Sequence, residues 1–223
     1  MREKLIDVST WNGSIDWKKV YDSGIRYAML RSGFGVENPN QADNKFQKNI
    51  KNALCAGIKC GVYHYSYAQS VAEAKFEADF CLKIIKGHKL DLPVAFDIED
   101  SSQTHLSKDA LTNIVIAFCD KIKSAGYTPM LYCNAIWLED YLYKDILTGK
   151  YDLWLSHFGA SLPNINCTIW QYSDKGRVSG IAGDVDLNYI YKAAECLRSQ
   201  DAVRDRTGQD AESLDKSRST LSK

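Results

Sequence analysis

The segment PVAFDIED (residues 93–100) carries two carboxylates one residue apart, Asp97 and Glu99, just before its final Asp100. Side chains alternate along a strand, so both project to one face, their Cα atoms roughly 6 to 7 Å apart. Two carboxyls in one pocket do not ionise independently, because like charge and partial burial raise the proton affinity of one of them. Glycosidic bond hydrolysis needs that pairing: a protonated acid donates to the leaving oxygen while an ionised neighbour supports the cationic transition state. The same acids could simply end a strand and cap the loop that follows, which continues as Ser101 and Ser102. Acids recur elsewhere, however: Asp7 ends the first strand-like run, and Asp184 and Asp186 stand in the last. Tyr63, Tyr65 and Tyr67 alternate on one face of a third run, and Trp154, Trp170 and Tyr172 come later. Such rings could stack on sugars or only pack a core; Tyr63 and Tyr65 are the leading sugar contacts.

Other chemistries find less support. Cys60 and His64 share a strand face, but an extended chain holds them too far apart to form a thiol–imidazole pair. The four His, at 64, 88, 105 and 157, show no zinc-binding spacing, so no metal is expected and His64 reads as a packed barrel residue. No phosphate-cradling glycine motif follows a strand, and no cofactor is expected. Lys+Arg and Asp+Glu balance at 28 each, which removes the basic footprint of a nucleic-acid binder.

Positioning these residues falls to alternating elements. Strand-like runs cover Leu5 to Ser9, Tyr27 to Ser32, Lys59 to Tyr67, Pro93 to Glu99, Pro129 to Asn134, Asp152 to Phe158, Thr168 to Ser173 and Asp184 to Asn188. Helical patterns fall at Asp16 to Ser23, Asp43 to Ala56, Val71 to Lys86, Ser107 to Ala125 and Ala135 to Tyr143. This is the rhythm of parallel βαβ units, with a β-rich last third. The expected fold class is α/β: an irregular, TIM-like barrel of eight strands and about five helices. In such a barrel the first and last strands are neighbours and the strand ends at one mouth form the site, so Asp7 and Asp186 would meet Asp97 and Glu99.

A chain of 223 residues suits one domain, placed at 1–196, with a polar tail or linker at 197–223 too poor in apolar residues to build a core. Seven Cys without a CxxC pair fit reduced thiols. No run approaches the roughly 20 apolar residues of a membrane span. The opening MREKLIDVST leaves no room for a signal-peptide apolar region, so a wall-directed role implies a cytoplasmic stage before release by lysis or a holin pore.

In order, IDVSTWNGSIDW (Ile6 to Trp17), RSG (from Arg31), GVYHY (to Tyr65), AFDIE (to Glu99), LYCN (with Tyr132), LWLSHF, WQYS (from Trp170) and GDVDLN (with Asp186) resemble the glycoside hydrolase family 25 lysozymes. The resemblance runs to about Tyr191 and is similar in kind to phage endolysins and bacterial autolysins. It implies a flattened barrel and an N-acetylmuramidase that cuts the β-1,4 bond between N-acetylmuramic acid and N-acetylglucosamine. It further implies Glu99 as general acid/base, Asp97 as its partner, and Asp7 and Asp186 as the remaining pocket carboxylates. Tyr63, Tyr65, Arg31, Trp170 and Tyr132 become substrate contacts. The nucleophile is either Asp97 or the substrate's own N-acetyl oxygen polarised by Asp97. Bacterial peptidoglycan is the implied partner; nucleic acid, membrane and an obligate protein partner are not indicated. Rival readings are a catalytically silent wall-binding module and a barrel glycosidase acting on chitin-like polymers.

Overall fold

β-Branched and aromatic runs separated by amphipathic helical periods close the chain on itself. The computed structural model describes residues 2–36, 38–159, 161 and 164–191. Its strands are β1 (Glu3–Val8), β2 (Tyr27–Phe34), β3 (Lys59–Tyr65), β4 (Val94–Asp97), β5 (Pro129–Asn134), β6 (Asp152–Ser156), β7 (Ile169–Gly176) and β8 (Val185–Ile190). They form a closed barrel in sequence order. β1 to β7 pair parallel, each with the next, whereas β8 runs antiparallel to both β7 and β1. The parallel rhythm read from sequence therefore reverses at the last strand, because β7 and β8 are joined by a short connection rather than a crossover helix.

The helices are α1 (Trp17–Asp22), α2 (Phe46–Cys55), α3 (Val71–Ile85), α4 (Lys108–Ser124) and α5 (Lys144–Thr148). Ser70 and Ser107 cap α3 and α4, accepting from the Glu73 and Ala110 amides; each such cap is worth about 1 kcal/mol. The helix expected over Ala135 to Tyr143 is instead a π-turn at Trp137–Tyr141, anchored by Asn134 Oδ1 accepting from the Trp137 amide, and α5 follows it. Among the described residues no helix follows β6, in keeping with a β-rich last third.

The sheet buries apolar groups on both faces. Outside, Val62, Phe96, Leu131 and Leu155 meet the helices through partners such as Ile85 and Phe118. Inside, Leu5, Met29, Leu92, Ala95, Met130 and Ile190 fill the lumen and plug it below the mouth; each large one stabilises by roughly 1.5–3 kcal/mol. Gly61 is required by close approach, since a Cβ there would stand 2.6 Å from Met29 Sδ and 2.7 Å from the Pro93 carbonyl oxygen.

Several strand ends differ from expectation in ways that matter to the site. β3 stops at Tyr65, leaving Tyr67 in the following turn, and β4 stops at Asp97, leaving Glu99 just beyond it. Asp184 precedes β8 and forms an exposed ion pair with Arg177 at 3.0 Å. The six described cysteines are free thiols. No helix among the described residues is long and apolar enough to cross a membrane. The proposed tail at 197–223 and the boundary at 196 lie outside the described residues.

Candidate active site

The period of two along each strand decides what faces the lumen. In β1, Leu5 and Asp7 point inward, and the antiparallel register sets Asp7 directly opposite Asp186 of β8. β8 begins at the mouth, so its second residue arrives where the parallel strands end. Asp7 Oδ2 accepts from Gln171 Nε2 at 3.0 Å and Asn188 Nδ2 at 2.7 Å. Burial raises the Asp7 carboxyl well above its ordinary range and the neighbouring Asp186 raises it further, outweighing both amide donors. Asp186 is also raised by burial, while a hydrogen bond from Asp7 favours its ionised form. Burial and the adjacent acid therefore favour keeping a proton on this pair.

Asp97 ends β4 on the same inward face, 4% exposed, and its Oδ1 meets no protein donor. Burial again raises it well above the usual carboxylate range, with Glu99 and Asp7 adding to the effect. Glu99, two residues past the end of β4, receives Asn134 Nδ2 on Oε2 at 3.3 Å. Burial raises Glu99 too, and the Asn134 bond offsets part of that rise. Asp7, Asp97, Glu99 and Asp186 thus surround one cavity of about 390 Å³. Among the described residues lining it, Arg31 is the single cation, and its Nε is already committed to Asp43 Oδ2 at 3.0 Å. With Asp174 also lining the cavity, five carboxyl groups stand around one guanidinium that is already paired, a balance that favours keeping protons on the buried ones.

Tyr63, Tyr65, Tyr132 and Trp154 form the walls. Tyr132 donates to Gln171 Oε1 at 3.0 Å and Trp154 Nε1 to Asn188 Oδ1 at 2.8 Å, so both rings are tied through amides to Asp7. Tyr65 donates to Asp100 Oδ2 at 3.0 Å, and Trp154 packs edge-to-face with both Tyr63 and Tyr132. One expected contact does not reach the cavity. Trp170 faces outward because Gln171, its neighbour in β7, takes the inward position; its Nε1 donates to the His157 carbonyl and its ring packs on Tyr172. Tyr67 lines an adjoining cavity with Phe34, Trp11 and Arg31.

Sequence reasoning missed Gln171, Asn188 and Asn134, the amides that orient the acids. Counting by two from Asp186 would have reached Asn188. It also missed Trp11, 84% exposed, and Phe158, 53% exposed, which rim the cavity. No group of three or more His, Cys, Asp and Glu among the described residues is arranged to hold a metal ion.

An α/β barrel whose mouth gathers protonated carboxyls between aromatic walls has the architecture of a glycoside hydrolase. Residues 6–181 match the family model "Glycosyl hydrolases family 25", and the chain belongs to that family. It is 31% identical over 206 residues to Lysozyme M1 of Streptomyces globisporus, covering 86% of this chain and 69% of that one. A bacterial lysozyme from Streptomyces coelicolor superposes with a TM-score of 0.76 at 28% identity, covering 91% of this chain and 99% of the other. The modular autolysin LytC from Streptococcus pneumoniae, solved with a synthetic peptidoglycan ligand, gives a TM-score of 0.75 at 27% identity. There the match covers 85% of this chain but 47% of LytC, so this chain spans about half of that protein.

Proposed function

We infer that this glycoside hydrolase is a lysozyme acting on bacterial peptidoglycan, and that it cuts the β-1,4 bond on the N-acetylmuramic acid side, as an N-acetylmuramidase. The observation carrying this reading is Glu99: a partly exposed carboxyl at the cavity mouth, raised by burial and held by one amide donor, so it keeps a proton to give. Glu99 protonates the glycosidic oxygen and later removes a proton from the attacking water. Asp97 lies deeper, and its unpartnered buried Oδ1 is an acceptor waiting for a donor. The N–H of a 2-acetamido group supplies that donor, which turns the acetamido oxygen toward the anomeric carbon as the nucleophile. Asp7, with Gln171 and Asn188, fixes the floor and absorbs a shared proton with Asp186. Tyr63, Tyr65 and Tyr132 flank the reacting sugar.

The test is turbidity loss of a Gram-positive wall suspension by wild type and Glu99→Gln, with mass spectrometry of released fragments. We expect Glu99→Gln to fall about 10²–10⁴-fold, the usual contribution of a positioned acid, and muramic acid to appear at new reducing ends. Equal clearing by the two proteins would remove Glu99 from its role. Glucosamine ends would assign the chitin-type cut, and binding without any release would leave only a wall-binding module. Proton NMR of fresh product should show the retained anomer; an inverted one would refute attack by the acetamido oxygen.

A further inference from the structure

Outside the cavity, Glu77 on α3 is fully enclosed, and its strongest charged neighbour, Glu73, is also negative. Its Oε1 accepts from the Tyr67 amide at 2.9 Å, and the Ser66 hydroxyl lies beside the carboxyl. From the other side comes Gln103, equally enclosed, in the loop that follows Glu99. Gln103 Nε2 donates to the Ala68 carbonyl at 2.8 Å and to Ser66 Oγ at 3.4 Å. The two side chains therefore grip one short turn, Ser66 to Ala68, which carries Tyr67 and follows directly on the cleft residue Tyr65. Through Gln103, that turn is tied to the segment that carries the acid.

The hydrogen-bond count in this enclosure does not close. Glu77 Oε2 and Gln103 Oε1 are both buried acceptors with no donor. A carboxylate leaves Oε2 without a donor and adds a buried charge with no cation beside it, whereas one proton removes the charge and turns that oxygen into a donor within the enclosure. We propose that Glu77 is a positioning residue that holds the Ser66–Ala68 turn only while it carries a proton, so that its ionisation loosens the Tyr65–Tyr67 wall of the cleft.

Burial supports this by pushing Glu77 up to about 7, outweighing the Ser66 hydroxyl and the Tyr67 and Ala68 amides, which favour the carboxylate. The other titratable neighbours stay fixed near neutrality: burial raises Cys81 on the same helix to about 12, and Tyr67 on the turn is raised as well. Gln103, from the loop after β4, is uncharged. The inference rests on the hydrolase reading only for its consequence, not for the clamp itself.

Hydrogen exchange of the Tyr67 and Ala68 amides, corrected for intrinsic rates, tests the clamp between pH 5.5 and 8.5. Measured in a Glu99→Gln background, it needs no turnover, so its failure is separable from failure of the proposed activity. Protection should fall at least tenfold across the range with Glu77 present and stay level with Glu77→Gln, which carries a donor at every pH. Level protection with Glu77, or an equal fall in Glu77→Gln, would overturn the proposal. With Glu99 restored, KM of the wild type should climb at alkaline pH more than kcat falls, and Glu77→Gln should abolish that climb. A uniform loss of activity at all pH values would reduce Glu77 to a structural role and refute the clamp. If Glu77→Gln does not fold, the exchange profile with Glu77 intact decides alone.

Discussion

Asp97→Asn should make this protein more stable and less active at once. Asp97 is 4% exposed, its Oδ1 has no donor, and burial, Glu99 and Asp7 all act against its ionised form. Of the groups acting on it, Arg31 alone favours ionisation, and that guanidinium is shared with Asp43. In the unfolded chain the same carboxyl ionises freely near pH 4. A raised folded value means that folding is favoured while both states are protonated and loses ground as pH rises through the folded value. Asparagine has nearly the same shape, carries no charge and brings a donor, so it removes this cost. We expect a gain of about 0.5–2 kcal/mol at pH 7.5, in line with other relieved active-site groups. For a domain of this size that is a rise in Tm of about 2–4 °C per kcal/mol. At pH 4 or below the gain should vanish, because wild type then already carries the proton. Urea unfolding at both pH values, with wall-clearing rates beside it, checks the claim. Activity should drop on the order of 10²-fold, the scale of one lost electrostatic partner in an enclosed site. A variant that is less stable at pH 7.5, or whose gain is the same at both pH values, would show that Asp97 is not held against its own ionisation.

Two further perturbations probe the same cleft. Asn134→Ala removes the donor that offsets the burial of Glu99, so Glu99 should rise further and the alkaline limb of kcat/KM should move to higher pH. A limb that moves down would contradict the assigned hydrogen bond, and about 1 kcal/mol of stability should go with the lost bond to the Trp137 amide. Trp11→Ala removes an 84% exposed ring that lines both the catalytic cavity and the adjoining one with Phe34 and Tyr67. KM for long glycan strands should then rise several-fold while short fragments are unaffected and Tm holds within about 0.5 kcal/mol of wild-type stability; an equal effect on both substrates would remove Trp11 from the groove.

Much of this arrangement was legible because periodicity is a local property. A run such as Val94 to Asp97 declares its own strand, and the two-residue spacing of Asp97 and Glu99 puts both on the cavity side even though β4 ends between them. Trp170 shows where such reading stops. Either face of β7 is aromatic-compatible, and whether Trp170 or Gln171 points inward depends on the register of β7 against β6 and β8. That register is a long-range fact. The amide partners escaped for the same reason: Asn188 and Gln171 gain meaning only once Asp7 stands between them, 181 and 164 residues away.

The direction of β8 is the least local feature and the one the site depends on most. A parallel eighth strand would bring its last residues to the mouth, with Asp186 set deeper and out of line with Asp7. Running antiparallel, β8 instead delivers its start, and the register fixes Asp7 against Asp186 and Ile6 against Leu187. Because neighbours alternate, Asn188 then falls one layer below on the same inward face, within 2.7 Å of Asp7 and 2.8 Å of Trp154. One reversal therefore supplies the proton-sharing partner, the amide that orients it and the anchor of the aromatic wall. A single-residue slip of β8 would turn all of these outward together, so the barrel closes correctly and the acidic floor assembles in the same step.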